Sequence, residues 1–205
     1  MYTTLFFNES PLLSSIIVLC LVGSFICKLY IIFVLLLLIL ILLCIFYRYK
    51  QHNKRYDDNV IISPANGRVT YLEQKDNKIN ISIYINLLNN HTQIYPVNGL
   101  LLKTIYDNTG NFELTNDIRK SRFNEKKIHT IKMENGGEVK VTQIAGFFPR
   151  MIVSTKKENE KVMAGDYLGM IKFGSRVDLE FDGDISKILI KKGQLINIGD
   201  MIYTY

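Results

Sequence analysis

The chain has 205 residues, of which 48% are hydrophobic and 21% charged, and its net charge is +6 at pH 7. This length leaves room for one soluble domain and a membrane segment. All three cysteines, Cys20, Cys27 and Cys44, fall in the apolar first fifty residues, which excludes a disulfide framework in the rest of the chain. The positive charge suits either nucleic acid or an anionic membrane surface, and its position along the chain separates the two.

Two apolar stretches, residues 12–27 and 29–47, are separated only by Lys28. The second is about long enough to cross a bilayer as a helix of roughly 20 residues, and the first is slightly short. A signal peptide is disfavoured, because no basic residue precedes the apolar run and no clear small-residue cleavage site follows it. We therefore expect residues 1–50 to form a transmembrane helical anchor, either a single span or a tight hairpin with Lys28 at its tip.

Basic residues follow the apolar part directly, at Arg48, Lys50, Lys54 and Arg55. A cluster in this position is typical of a segment that faces anionic lipid, and the sequence has no nucleic-acid-binding motif. The excess of Lys and Arg on this flank predicts that the rest of the chain lies on the cytoplasmic side of the membrane. We interpret residues 51–59 as a basic linker.

The remainder, residues 60–205, alternates polar and apolar residues in the manner of a small β-rich domain. Asn-Gly pairs mark two turns, at Asn66-Gly67 and Asn98-Gly99. A polar stretch over residues 107–126 has no sustained period, and we expect a long loop there, of the kind that is often functional. The predicted strands cover residues 60–62, 68–73, 78–86, 100–106, 127–133, 138–144 and 150–155.

A faint repeat occupies the last third of the chain. Residues 161–168 and 195–202 share a Gly-Asp turn that follows a similar apolar pair. Two such units predict a quasi-symmetric β-sandwich of the barrel-sandwich hybrid kind found in lipoyl and biotinyl carriers. The acceptor lysine of those carriers is missing, which disfavours a carrier function.

Between the two repeats lies Gly174-Ser175, a small step flanked by apolar, strand-forming runs. Glycine allows strained backbone angles, and the hydroxyl of a following serine lies close to the preceding carbonyl. It can attack that carbonyl when a base assists and the conformation is held. On spacing alone, most Gly-Ser pairs are ordinary turns.

Three ordered blocks, residues 144–146, 162–169 and 170–179, resemble the C-terminal signature of the phosphatidylserine decarboxylases, in their short bacterial and archaeal-type branch. The resemblance extends from about residue 60 to about residue 181. It implies that the chain cuts itself between Gly174 and Ser175 and that Ser175 becomes an N-terminal pyruvoyl group.

Of the three histidines, His91 precedes a block that resembles the family's histidine motif ending in Pro-x-x-Gly. The resemblance implies that its imidazole removes the Ser175 proton during self-cleavage or handles a proton during decarboxylation. His52 lies in the basic linker, and we expect it at the surface. His129 lies in an alternating strand, where we expect a solvated strand face.

Asn66 stands in a Ser-Pro-Ala-Asn-Gly turn that resembles the family's Ser-Pro-Ala-Asp-Gly, so the supporting aspartate of the family is an amide here. An amide can orient an imidazole, but it cannot stabilise an imidazolium with charge. The resemblance places Asn66 with the catalytic residues.

The remaining matches imply a set of substrate-binding residues. Residues 124–126 resemble the family's Asn-Glu-Arg, with lysine in the last place, and only one arginine remains where the family usually has a pair. No cluster of metal ligands is visible in the sequence. The predicted substrate-binding residues are Asn124, Glu125, Lys126, Arg150 and Arg176.

The resemblance implies a pyruvoyl-dependent decarboxylase that converts phosphatidylserine to phosphatidylethanolamine in phospholipid biosynthesis. The pyruvoyl group derived from Ser175 would form a Schiff base with the amine of the lipid and accept the electrons left by the departing carboxylate. A homodimer, with each protomer two chains after cleavage, is compatible with this interpretation. The alternative is an inactive relative that acts as a membrane-bound lipid-binding or scaffold protein. Asn66 and the missing arginines favour this alternative, whereas the intact Gly174-Ser175 and His91 oppose it.

Overall fold

The computed structural model describes residues 2–50, 52, 54–86, 89–108, 115, 121, 123–146, 152–171 and 175–205. The chain divides into two compact units, Met1–Lys50 and Gln51–Tyr205. The fold is mainly β, as the alternation in the sequence predicts.

The first unit is a helical hairpin closed at its base by a short β-ribbon. Its elements are strand β1 (Tyr2–Thr4), helices α1 (Phe6–Glu9), α2 (Pro11–Ile26) and α3 (Tyr30–Phe46), and strand β2 (Arg48–Lys50). Lys28, at φ 58°, lies in the turn between α2 and α3, and β1 pairs antiparallel with β2 at the other end. The two long helices are therefore antiparallel, and the chain enters and leaves the hairpin at one end.

Apolar side chains remain exposed along both long helices; Leu12 is 76% exposed and Ile31 80%. In the part of the chain that the structure describes, no helix is long and apolar enough to cross a membrane. The longest, α3, has 17 residues and so measures about 26 Å, against roughly 30 Å for a hydrocarbon core. The structure thus does not support the predicted transmembrane anchor, because the turn at Lys28 divides the apolar region into two shorter helices.

The described part of the second unit contains thirteen strands in three sheets, all paired antiparallel. Eight form one large sheet, three form a small sheet, and two form a ribbon; the orders are β11-β7-β8-β9-β13-β5-β4-β14, β10-β12-β6 and β15-β3. A 3₁₀ helix spans Ile185–Lys187. The strands are β3 (Val60–Ile62), β4 (Gly67–Lys75), β5 (Lys78–Ile85), β6 (Thr92–Ile94), β7 (Gly99–Asp107), β8 (Lys126–Met133), β9 (Glu138–Ile144), β10 (Ile152–Ser154), β11 (Lys161–Val162), β12 (Tyr167–Ile171), β13 (Ser175–Asp182), β14 (Leu195–Ile196) and β15 (Met201–Thr204).

The hydrophobic core lies on one face of the large sheet, because side chains alternate between the two faces of each strand. On β13, Val177, Leu179 and Phe181 are buried in this core, whereas Asp178 and Glu180 face outward. We call these the inner and outer faces of the large sheet. The small sheet and the ribbon contribute further core residues, among them Leu168, Ile171, Ile61 and Ile202.

The repeat seen in the sequence has a counterpart in the structure. Gly165 and Gly199 both adopt positive φ, at 98° and 86°, in turns that precede β12 and β15. Each turn is held by an asparagine from an Asn-Gly pair: the Ala164 amide donates to Asn98 Oδ1 at 2.8 Å, and the Ile198 amide donates to Asn66 Oδ1 at 2.5 Å. The two repeats are thus related by a quasi-symmetry in which Asn66 and Asn98 are equivalent.

Candidate active site

The start of β13 lies at one end of the large sheet, together with the ends of its neighbouring strands. Ser175 pairs with Ile85, the last residue of β5, and Arg176 pairs with Ile144, the last residue of β9. Ile144 in turn pairs with Lys126, the first residue of β8. We call this end of the second unit the site end.

Ser175 points to the inner face, since it is two residues before the core residue Val177 on the same strand. Its side chain is fully buried, and among the described residues its Oγ has no hydrogen-bond partner. A buried hydroxyl without a partner is uncommon in proteins and indicates a functional role or a partner outside the described residues. Gly174, the other half of the predicted cleavage site, lies outside the described residues.

His91 is fully buried directly before β6. Its carbonyl accepts a hydrogen bond from the Ile171 amide at 3.2 Å, at the end of the strand that leads toward Ser175. Its Nδ1 is 2.9 Å from the Asn89 carbonyl oxygen, a contact that orients the ring. The histidine therefore sits against the chain segment that leads to the predicted cleavage site.

One side-chain hydrogen bond between the two sheets relates the position of His91 to that of Ser175. Gln93 on β6 bonds to Gln143 on β9, and Gln143 pairs with Val177 on β13. His91 lies two residues before Gln93 in the chain, and Ser175 lies two residues before Val177. The Ile171 amide, which donates to the His91 carbonyl, is only four residues before Ser175, so both residues lie at the site end.

Asn66 also lies at the site end, because Arg68, two residues on, pairs with Tyr84, which in turn pairs with Arg176. In the structure, its amide oxygen accepts the Ile198 amide hydrogen bond described above. This contact gives Asn66 a structural function in one quasi-symmetric half. Its predicted action on His91 stays a prediction.

Residues 124–126 tie the end of the long 107–126 segment to the site end. The Asn124 side chain donates to the Ala145 carbonyl at 2.9 Å, and the buried Glu125 carboxylate accepts a hydrogen bond from the Tyr106 hydroxyl. Lys126 Nζ lies 3.2 Å from the carboxylate of Asp107, in a partly exposed ion pair. Two members of the motif are thus buried, and the lysine lies at the rim.

Arg176 projects from the outer face, on the opposite side of the sheet from Ser175. Its guanidinium is buried, donates to Ser121 Oγ at 2.6 Å and forms an ion pair with Asp178 at 2.8 Å. Burial raises the pKa of the Asp178 carboxyl above its ordinary value, an effect that the Arg176 charge opposes. The structure therefore separates Arg176 from the interior that holds Ser175, and Arg150 lies outside the described residues.

A groove of about 710 Å³ lies on this outer face. Glu180 in the groove is within 3.0 Å of Lys78 Nζ and 3.1 Å of Lys140 Nζ, so its charge is compensated. The groove is on the far side of the sheet from the Ser175 hydroxyl and does not form part of the candidate site. Its lining residues are Tyr71, Asn80, Ile81, Ser82, Ile128, Lys140, Thr142, Asp178, Leu179 and Glu180.

His129 is fully buried on the inner face, and the prediction that it lies on a solvated strand face was wrong. Its Nε2 is 3.0 Å from Gln143 Oε1 and its Nδ1 is 3.2 Å from Thr104 Oγ1. Burial lowers the pKa of His129 to about 4, against the opposite effect of the Gln143 hydrogen bond and with a smaller contribution from the Lys127 charge. The sequence already indicated a buried position, because His129 and the core residue Ile131 are two residues apart on one strand and therefore face the same side.

No group of three or more potential metal ligands of the His, Cys, Asp or Glu type occurs within the described residues. At the site end the structure has a buried serine at the start of a strand, a buried histidine beside the segment leading to it, and the buried side chains of Asn124 and Glu125 before β8. This arrangement suits proton transfer to and from a serine rather than charge-driven surface binding.

The sequence model of one family, described as phosphatidylserine decarboxylase, matches residues 41–204. A phosphatidylserine decarboxylase proenzyme of Bacteroides fragilis is 34% identical over 145 residues, covering 67% of this chain and 63% of that protein. Proenzymes of the same name from Wolbachia pipientis and Chlorobium phaeobacteroides are 32% and 33% identical, over 70% and 77% of this chain and 66% and 76% of those proteins. The chain therefore belongs to the phosphatidylserine decarboxylase family. The matched region spans slightly less than two thirds of the Bacteroides and Wolbachia relatives.

The depressed pKa of His129 predicts a loss of stability in mild acid. The unfolded chain takes up a proton near pH 6.5, its ordinary value, whereas the folded chain takes it up only near pH 4. The contribution of His129 to the free energy of unfolding is therefore complete above pH 6.5 and decreases as the pH falls toward 4. At about 1.4 kcal/mol per unit, this group contributes a loss of roughly 3 kcal/mol.

Urea titrations at pH 7 and pH 4.5 would measure this effect. In the variant His129→Gln, which cannot be protonated, the difference in the free energy of unfolding between the two pH values should be smaller than in the native chain by about 2 kcal/mol or more. The same pH dependence in both proteins would show that His129 titrates normally.

Proposed function

We propose that this chain is a self-processing, pyruvoyl-dependent decarboxylase that acts on phosphatidylserine and releases phosphatidylethanolamine. The observation that carries the proposal is the buried Ser175 at the start of β13, together with a buried His91 that is bonded to Ile171, four residues before Ser175. Family membership supports the reaction, and the relatives' printed names describe proenzymes, which fits a chain that must be cut before it acts.

In the self-cleavage step, Ser175 Oγ attacks the carbonyl carbon of Gly174 while His91 accepts the hydroxyl proton. The amide nitrogen of Ser175 is expelled with a proton, and an ester joins the two residues. Removal of the Ser175 α-proton then breaks the ester. Gly174 leaves as a free carboxylate, and residue 175 becomes a dehydroalanine that water converts to a pyruvoyl group with release of ammonia.

The described residues around position 175 fit such a group. Ser175 is held by pairing with Ile85, and its successor Arg176 is paired on both sides, with Tyr84 and Ile144. A new chain end at residue 175 would therefore stay anchored in the sheet after cleavage. The pyruvoyl carbonyl supplies the electron-accepting centre that binds the substrate amine and stabilises the charge left by decarboxylation. The buried position excludes bulk water from that centre.

We propose that the substrate's polar head group is received at the site end. Lys126, at the rim in its ion pair with Asp107, can offer a positive charge to a lipid phosphate, and the buried Asn124 and Glu125 hold the strand end that presents it. Arg150 and Arg176 remain predicted substrate-binding residues. Arg176 would act from the outer face, through Ser121 and Asp178.

The quasi-symmetric arrangement around Asn66 and Asn98 supports a sandwich of the barrel-sandwich hybrid kind, as in lipoyl and biotinyl carriers. A homodimer with each protomer cut into two chains is a further expectation. The inactive scaffold alternative is not supported by the comparisons, because the relatives are named as proenzymes of an enzyme.

We also propose that the first unit binds the membrane through the exposed apolar side chains of α2 and α3, and that the second unit acts on the cytoplasmic face. The exposed Leu12 and Ile31 and the basic flank after α3 support this association. A lipid substrate requires the site to meet a head group at the bilayer surface.

This orientation predicts protection from external protease. In intact cells, a protease added outside should leave an epitope at Tyr205 undigested, and after permeabilisation the same protease should remove it. Digestion in intact cells, with a cytoplasmic marker protein still protected, would place the second unit on the outer face.

Self-cleavage predicts two fragments from one gene product. Intact-mass analysis of the purified native chain should find residues 1–174 and a fragment that begins with a pyruvoyl group at position 175. Ser175→Ala should remain full length, because it has no nucleophile, and Ser175→Thr serves as a matched variant that keeps the hydroxyl. A native chain that stays uncut while folded would contradict the proposal.

The quasi-symmetry supplies a control for the predicted function of Asn66. Asn66→Ala and Asn98→Ala remove equivalent hydrogen bonds, so each should lower the free energy of unfolding by about 1 kcal/mol, with a larger loss for Asn98, which has two more bonds. Only the change at Asn66, at the site end, should slow fragment formation. Asn66→Asp should accelerate it, since a carboxylate stabilises an imidazolium at His91.

A time course of fragment appearance after synthesis would measure these rates. Equal rates for the native chain and Asn66→Asp, or equal slowing by both alanine variants, would show that Asn66 acts only as a turn residue.

A further inference from the structure

A continuous line of hydrogen bonds crosses the interior of the second unit and ends at His91. It runs from Thr104 on β7 through His129 on β8 and Gln143 on β9 to Gln93 on β6, with donor–acceptor distances of 3.2, 3.0 and 2.9 Å. Gln93 Nε2 then donates to the His91 carbonyl oxygen at 2.6 Å. We call these four side chains the interior relay; all but Thr104 are fully buried.

The relay has only one consistent direction. The His91 carbonyl can only accept, so Gln93 donates through its NH₂ group and accepts through Oε1. Gln143 therefore donates to Gln93 through its own NH₂ group, and its Oε1 must accept from His129 Nε2–H. The neutral ring then accepts the Thr104 hydroxyl hydrogen at Nδ1. The His91 carbonyl at one end and the Nε2–H of His129 at the other thus require the same orientation of both amides.

The relay joins the two sheets through the apolar core. Thr104, His129 and Gln143 belong to the large sheet, and Gln93 belongs to the small sheet. Polar groups in such a position must keep their partners, since an unpaired buried amide is strongly unfavourable. If His129 lost its donor, the buried Gln143 Oε1 would lose its hydrogen-bond partner, and the side chain that holds Gln93 would be less firmly placed.

The receiving end of the relay lies beside the predicted chemistry. The His91 carbonyl accepts from both the Gln93 side chain and the Ile171 amide. These two contacts fix the backbone of His91 and the end of β12, the strand that leads toward Ser175. A displacement of Gln93 would therefore shift the imidazole relative to the serine hydroxyl.

We propose that His129, acting through Gln143 and Gln93, is a positioning residue that holds His91 in place for its reaction with Ser175. This inference rests on the proposed function, in which His91 moves the Ser175 proton. His129 does not contact the reacting atoms itself. It supplies the donor that anchors the far end of the relay.

Three variants of the full-length chain separate positioning from stability. His129→Leu removes the donor and should slow fragment formation by roughly ten- to a hundredfold, the effect of a small displacement of a reacting group. His129→Gln places an NH₂ group near the position of Nε2 and should restore the rate to within a few-fold of native. Ile131→Ala, on the same strand and face but outside the relay, controls for lost packing and should leave the rate near native in the folded protein.

Equal slowing by His129→Leu and His129→Gln, or by His129→Leu and Ile131→Ala, would overturn the proposal. A native rate in His129→Leu would overturn it as well.

A second readout does not depend on cleavage. The chain has three histidines, so the ring nitrogen resonances of His91 can be assigned in Ser175→Ala and followed in each variant. His129→Leu should shift the His91 resonances, and His129→Gln should leave them near their native positions. If the native chain never cleaves but these shifts occur, the proposed function fails and the relay stands. Unchanged His91 resonances in His129→Leu would overturn the relay whether or not the chain cleaves.

Discussion

The pairing of β13 between β5 and β9 is the constraint on which the site depends. Ser175 is the first residue of that strand, and the chain from Ser175 to Asp182 pairs in continuous register with Ile85 to Lys78. In the proposed function, Ser175 attacks the preceding carbonyl and later remains as a chain end, and both steps need such an anchor. The same alternation that buries Val177 turns the Ser175 hydroxyl toward the interior, so the strand supplies both position and direction.

Several polar side chains are buried next to the apolar core of the second unit, and this surrounding determines their protonation and hydrogen bonding. His91, Gln93, Glu125, His129 and Gln143 are all fully buried. Low local polarity strengthens each hydrogen bond among them and keeps His129 neutral, with a pKa near 4. It also lowers the pKa of the nearby Lys127 ammonium. Neutral donors and acceptors in fixed orientations can support proton transfer without the solvent rearrangement that a surface site requires.

Much of the fold could be predicted from the sequence, because strand alternation and Asn-Gly turns are local signals. Strands β4, β5, β7, β8 and β9 of the large sheet and the Gly-Asp repeat followed from such patterns, and the motif around Ser175 indicated the family. The interior relay could not be predicted, since it joins residues 93, 104, 129 and 143, which only the sheet order brings together. The prediction placed His129 on a solvated strand face because histidine is polar. It lies two residues before the core residue Ile131 on the same strand, and so it shares the buried face. The contact between Asn66 and Ile198 likewise depends on the quasi-symmetry between distant segments. The apolar composition predicted a helix that spans the membrane. The turn at Lys28 instead divides this region into two helices, each too short to span it.

The central claim is that residue 175 becomes the reactive centre of a lipid decarboxylase. The most direct test is release of labelled carbon dioxide from vesicles containing phosphatidylserine labelled in its serine carboxyl group. The purified native chain should release the label and form phosphatidylethanolamine in equal amount, whereas Ser175→Ala, prepared in the same way, should release none. A processed native chain that releases no label, or release by Ser175→Ala equal to that of the native chain, would contradict the account.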